Sequence, residues 1–533
     1  MQPKIKSALH IVWFKRDLRV VDHIPLVSAC QSGAVLPLFC WEETVLTGAD
    51  YAIQHQQFTR ECLSELKVAL ENMGLQLHES SVGILQTLTL IAQNHTIAAL
   101  YSHEETGNGA TFAIDLLVKK WCENQHIPWH ETPQNGVVRR LKSRDHWNTS
   151  WEKRMREALM PAPRDALAAV NMMLPNAIHP MVAGDDKPKR QQGGRARALR
   201  ILNSFLVERA AGYRGGISSP LKAIKNGSRL SPYIAFGCVS MREVVQASRE
   251  QAMSLNNQNV FDKKLAAGLK GFESRLHWHC HFMQKLEDAP FQEFENLHSA
   301  YDGLRDSLVA SVEQKRRLQA WQTGTTGWPL VDACMAMLRH TGWINFRMRA
   351  MLMSTASYLF WLHWRESGLH LAREFLDYEP GIHWPQSQMQ SGTTGINTLR
   401  IYNPIKQAQD HDPKGDFVRH WLPALKNVPD TWIFEPWLMP NNLQLKYGCI
   451  LDKDYPMPVL TVEYAIRRAR LNLTALRKDD DVKREAQGIV KKHGSRAGMA
   501  GGIRDKNGNI IAKKSSKLKQ TEISAKTKQQ LLF

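Results

Sequence analysis

The sequence predicts two architectures in one chain: an α/β domain with a Rossmann-like parallel sheet over residues 1–130, and an all-α domain over residues 196–478. Three observations carry this. Short apolar runs alternate with amphipathic stretches in the first part, the pattern of strand–helix units. A 3.6-residue periodicity broken by Gly and Pro turns dominates the second. A chain of 533 residues also exceeds what one ordinary hydrophobic core serves.

The elements follow in order. "HIVWF" and "AVLPLFCW" read as buried strands, helical periodicity spans 54–73, and "TIAALYSH" reads as a third strand. A parallel sheet binds ligands beyond its strand C-termini. The polar loops "KRDLR" (Lys15 to Arg19) and "HEETGNGA" fall there. Gly107-Asn108-Gly109 echoes a phosphate loop weakly and reads as a turn into the next helix. Residues 131–195, rich in Pro, Gly, Asp and Lys, read as a connector over the surface. Residues 479–533 read as a disordered basic tail, with 13 Lys and Arg against 3 Asp and Glu from Val482 onward. Such a tail serves nonspecific phosphate contact or solubility.

Composition narrows the function. No apolar run reaches a membrane span, no signal peptide opens the chain, and the eight cysteines lack C-x-x-C pairs, so a monomer in a reducing cytoplasm is expected. A net charge of +18 calls for an anionic partner, nucleic acid or an acidic membrane surface. Ten of the 16 tryptophans lie between Trp278 and Trp437, which suits a bulky core or a flat ligand. In "LHWHCHF" (276–282), His277 and His281 share a helical face, the spacing of a zinc pair or of aromatic packing.

Four stretches of the helical half decide between these readings: "GSRLSPYIAFGCVSMREV" (227–244), "TGWPLVDACMAMLRHTGWINFRMR" (326–349), "RIYNPIKQAQDHDPKGDFVRHWLPAL" (400–425) and "VPDTWIFEPW" (428–437). Together they resemble the photolyase/cryptochrome flavoproteins, and "IVWFKRDLRVVDH" resembles the opening of that family's antenna domain. The resemblance implies a helical FAD-binding domain, blue-light chemistry and UV-damaged DNA as partner. It also implies a possible second chromophore (a folate, a deazaflavin or a lumazine) near Phe14–Arg19 and Glu104–Asn108.

Carried over residue by residue, it implies FAD contacts from Tyr213, Ser228, Arg229, Leu230, Ser231, Arg349, Asp377 and Glu379, with His383 opposite flavin N5. Arg349 and Asp377 match a pair beside the isoalloxazine. Trp278 matches the platform on which a flipped pyrimidine dimer stacks. Arg275, His279, Arg347, Met389 and Arg400 match its lesion and DNA contacts, and the histidines of the opening helix would line a cavity above the flavin, with no metal. Trp364 matches the middle of a three-tryptophan electron-transfer chain, with Trp384 as a further member.

Several positions depart from the family pattern. Arg275 stands where a lesion-contacting glutamate is usual, His279 where an arginine is usual, and Phe346 where an asparagine is usual. Ser387 and Ser311 occupy the outer tryptophan positions. Ala350 replaces the histidine required for (6-4) repair. Beyond Cys280, only Cys334 and Cys449 remain, too few for an iron–sulfur cluster. The implied activity is that of a deoxyribodipyrimidine photolyase, a carbon–carbon lyase acting on cyclobutane dimers. A cryptochrome-type photoreceptor without repair is the alternative.

Overall fold

β1 (Leu9–Phe14) and β2 (Ala34–Cys40) are almost wholly apolar because their sheet is covered on both faces. A computed structural model describes residues 8–494, except 165, 169–171, 173, 176–181, 183, 257–258 and 306–310. The sheet has five parallel strands in the order β3-β2-β1-β4-β5, with β3 at His78–Ser80, β4 at Ile97–His103 and β5 at Trp129–Thr132. Helices α1 (Ile24–Ser32), α2 (Ile53–Glu71), α3 (Gly83–Asn94) and α4 (Gly109–Asn124) lie between successive strands. β3 and β5 were not expected from the sequence, because "HES" and "WHET" are too short and polar to give a strand signal.

The strand order reverses between β1 and β4, so their following loops diverge and leave a crevice. Asp17 braces it. One carboxylate oxygen accepts from His23 Nε2 at 3.0 Å and His103 Nδ1 at 2.6 Å, and the other accepts from the Lys15 backbone N–H at 2.7 Å. Burial alone would raise the Asp17 carboxyl, yet the two imidazoles hold it well below its usual range.

Residues 131–195 are not simply a surface connector. Within them, α5 (Trp147–Arg156) buries Trp147, Trp151 and Met155, spaced four apart on one face. Trp147 Nε1 also donates to the Gly136 carbonyl at 3.0 Å. The Pro- and Gly-rich flanks masked this helix in the sequence.

The second domain is helical. Its frame includes α6 (Val260–Asp288), α7 (Phe346–Ser354), α8 (Pro380–Ser391) and α9 (Val462–Leu476). A π-helical turn, Thr355–Leu359, continues α7. The expected disordered tail begins instead as a helix, α10 (Asp480–His493), which buries Val482, Ile489 and His493. His298 Nε2 fastens it by donating to the Val482 carbonyl at 2.9 Å. The rest of the basic tail lies outside the described residues. No helix among those described is long and apolar enough to cross a membrane.

The two domains meet at charged and backbone contacts. Arg16 Nη2 reaches Glu379 at 2.7 Å and Arg16 Nε the Ala235 carbonyl at 3.0 Å. Arg19 donates to the Gly237 carbonyl at 3.1 Å. Gly237 has φ +67° and its α-carbon backs onto the Arg16 carbonyl, so no side chain fits there. His55, on α2, accepts the Ala52 N–H and donates Nε2 to the Phe375 carbonyl at 2.8 Å.

Burial lowers His55 to about 4 and His103 to about 3. Both are therefore neutral in the folded chain, whereas the unfolded chain protonates them below roughly pH 6.5. The unfolded state then binds more protons, so stability is complete above about pH 6.5 and falls towards pH 4. The slope is about 1.4 kcal/mol per pH unit for each such histidine. Urea midpoints between about pH 7 and pH 5 measure it. His55→Gln should flatten the dependence, and an unaltered slope in that variant would contradict this assignment.

Candidate functional site

Asp377 and Glu379 sit two residues apart on the turn entering α8, both buried. Arg349, in the first turn of α7, pairs with Asp377 at 2.9 Å, donates Nε to the Ile344 carbonyl at 2.8 Å and lies 4.2 Å from the Phe375 ring centre. Burial opposes charge on Asp377, but Arg349, helped by the neighbouring Ser231 hydroxyl, keeps its pKa below the ordinary value. Its Oδ1 is buried and has no hydrogen bond.

The segment 227–231 lies beside this pair. Leu230 is fully buried and anchors it, while Ser228 Oγ accepts the Leu230 N–H at 3.4 Å. Arg229 takes a left-handed backbone, φ +62°, which sets its guanidinium 3.8 Å from the Trp343 ring centre. Burial pulls it down to about 10, partly offset by Asp377. Arg209 clamps the loop through the Gly227 and Ser228 carbonyls.

Tyr213 is buried against Phe205 and Phe272. Gly215, at φ +87°, faces open space. Asn345 fixes the far end of this segment, donating Nδ2 to the Ile217 carbonyl at 2.9 Å and the Ser218 carbonyl at 3.2 Å. Its own Oδ1 is buried without a donor.

Along α6, Arg275 lies near the Tyr213 phenol, a proximity between distant segments that the sequence did not announce. Trp278 is half-buried, edge-on to His281 at 4.9 Å and tilted against Phe282 at 5.8 Å. The histidines do not share one cavity, contrary to expectation. His277 packs edge-on to Trp147 and Trp151 and contacts Asn148 at 3.1 Å, and His281 also turns to Trp147. The helical period drives this, because only His279 lies on the other face. His279 lines a cavity with Arg16, Met283 and Glu379, and burial lowers it to about 4. Among the described residues, the only cluster with metal-ligand geometry is Asp17, His23 and His103, far along the chain from this helix.

Arg275, Arg347 and Arg400 come from three segments, and Arg347 lies within electrostatic reach of each of the other two. Burial lowers Arg275, and Arg347 lowers it further; Arg400 behaves likewise. No carboxylate pairs with Arg275 or Arg347 among the described residues. Phe346, beside Arg347, is 41% exposed, whereas Met389 is buried in α8.

His383 is buried and donates Nε2 to the Gly368 carbonyl at 2.9 Å, which assigns its tautomer. Burial lowers it to about 4, so it is neutral near pH 7. Trp384 meets Trp364 edge-on at 6.0 Å, and Trp364 Nε1 donates to Asn296 at 2.8 Å. Ser387 is buried on α8, and Ser311 caps the helix Val312–Thr323. The sequence also passed over Glu379's partner: Arg16 sits in the first loop, already marked as a ligand-facing position, but its target lay in the other domain. Burial raises Glu379 to about 7, against the pull of Arg16.

Comparison with known proteins gives this arrangement its context. Residues 10–148 match the family model described as DNA photolyase, and residues 272–475 match the FAD binding domain of DNA photolyase. The deoxyribodipyrimidine photo-lyase of Alkalihalophilus pseudofirmus is 27% identical, over 89% of this chain and 99% of the relative. Cryptochrome DASH of Synechocystis sp. is 25% identical, over 86% and 96% respectively. Among solved structures, a bacterial class III photolyase from Agrobacterium tumefaciens superposes with a TM-score of 0.77 at 23% identity, covering 90% of this chain and all of that one. The fold, the paired domains and the matched models agree: the chain belongs to the photolyase/cryptochrome family of FAD-binding proteins.

Proposed function

We propose that this chain is a blue-light-driven DNA photolyase that splits cyclobutane pyrimidine dimers. The observation that carries the reading is the cluster of Arg275, Arg347 and Arg400, gathered from separate segments beside exposed Phe346. Arg275 and Arg347 have no carboxylate partner among the described residues, and a damaged strand supplies phosphates. Trp278, from the same helix as Arg275, offers an aromatic face worth roughly 1–3 kcal/mol per stacked base.

The residues fit FAD. The buried, unpaired acceptors Asp377 Oδ1 and Asn345 Oδ1 suit its hydroxyl and amino donors. Ser228, Ser231 and Arg229, with the open space at Gly215, suit its pyrophosphate. Arg349 presents a cation, and neutral His383 faces the same region. Held by these residues in its reduced form, FAD would supply light-driven one-electron chemistry at a lesion.

Around that exchange the chain positions and screens. Arg275 offsets negative charge on a reduced lesion, the task for which the family uses a glutamate by different means. The Arg349–Asp377 pair keeps a fixed cation in a water-poor interior, where its field is strong. Trp384 and Trp364 supply a short aromatic path from the interior towards Asn296. The cavity lined by Lys15, Arg16, His103, Glu104 and Glu105 suits a second chromophore of the folate, deazaflavin or lumazine kind.

One observation favours a light sensor instead: Arg275 stands where the family carries its lesion-contacting glutamate. Binding separates the two readings. A single-stranded oligonucleotide with one thymine dimer should bind more tightly than its undamaged counterpart, and Trp278→Ala should weaken the damaged complex about tenfold more. Equal losses for both strands would contradict the stacking role. Arg275→Gln should lower the yield of ring opening at saturating DNA; an unchanged yield would remove Arg275 from the chemistry.

A further inference from the structure

A second group of cations lies outside this site, where the turn after Tyr301, the π-helical turn 355–359 and the end of α9 converge. Arg305 is only 4% exposed, and its Nε and Nη2 have no hydrogen-bond partner among the described residues. Its guanidinium carbon faces the Trp361 ring at 4.8 Å and the Tyr358 ring at 5.4 Å. Arg477, at the end of α9, donates Nε to the Tyr301 hydroxyl at 3.1 Å, and its buried Nη2 is unpartnered. Tyr358 is fully buried, and its hydroxyl has no partner.

Neither arginine forms an ion pair among the described residues, and the groups beside Arg305 are tyrosines, which are uncharged near pH 7. Burial accordingly drags Arg305 to about 10. A buried guanidinium without a counter-ion is costly, and native chains compensate such charges. The backbone is strained at the same place. Trp361 holds φ +60°, a conformation that a bulky side chain rarely adopts, and it is flanked on α9 by Arg468, which donates to the Leu359 carbonyl at 2.7 Å.

We propose that Arg305, Arg477 and Tyr358 form a binding site for a phosphate oxyanion. Among the described residues the site offers free donors and no carboxylate. Arg305 and Arg477 supply three free N–H-bearing nitrogens, Tyr358 supplies a hydroxyl, and Tyr301, having accepted from Arg477, keeps its own proton to donate. Two guanidiniums match the charge of a phosphate dianion, and a tetrahedral ion accepts from several directions at once, as a carboxylate does not. The burial of Arg305 and Tyr358 favours a small free ion over a phosphodiester, whose two bridging oxygens are committed to its chain.

Thermal unfolding of the full chain tests this, comparing phosphate with chloride at matched ionic strength. Phosphate should raise the Tm by about 3–6 °C at saturation. Arg477→Gln should lose most of that shift. Arg305→Met should be at least as stable as the parent without phosphate, because an uncompensated charge is gone, and should not respond to phosphate. An undamaged oligonucleotide lacking terminal phosphates forms a separate arm: a shift abolished by Arg477→Gln there, without one from free phosphate, assigns the ion to a nucleic-acid backbone. No shift from either source would overturn the proposal. So would equal shifts in the parent and both variants, which would reduce the effect to general salting-out.

Discussion

Two buried carboxylates, Asp377 and Glu379, two residues apart, each need a cation that their own segment does not provide. Arg349 on α7 serves the first and Arg16 in the loop after β1 serves the second. The environments push the two acids apart: Asp377 is held low, and Glu379 rises to about 7. Because the pair stands at the entrance of α8, the direction of that helix is tied to the helical domain on one side and to the α/β domain on the other. His383 and Trp384, the fourth and fifth residues of α8, inherit that orientation.

The same economy of acids recurs on the surface proposed to receive DNA. Arg347 acts on both Arg275 and Arg400, with Phe346 exposed beside it. Replacing a glutamate by Arg275 does more than reverse one charge. On the proposed reading it turns a mixed site into a cationic one, close to Tyr213 and the glycine-rich 212–216 segment.

Much of the fold was legible because its signals were local. β1, β2 and β4 are apolar runs of six or seven residues, and α2 announces itself by its period. β3 and β5 were not, since three or four polar residues acquire strand geometry only from their neighbours. The Trp147, Trp151, Met155 spacing was present in the sequence but obscured by Pro- and Gly-rich flanks. Val482 and Ile489 were likewise hidden in a run dominated by charge. In the site, Arg349 and Asp377 were legible as a pair through family resemblance. The Arg16–Glu379 pair and the proximity of Tyr213 to Arg275 were not, because they involve residues far apart in the chain. The histidines of 277–281 were read as one group, whereas helical geometry separates His279 from the two that pack on α5.

The measurement that bears most directly on the account is light-driven ring opening. Purified chain with chemically reduced flavin would receive a single thymine cyclobutane dimer in a single-stranded oligonucleotide, with a dark control. The account predicts that intact thymines return only under blue light. Normal flavin reduction with an untouched dimer after prolonged illumination would contradict it and leave a light sensor on a photolyase frame.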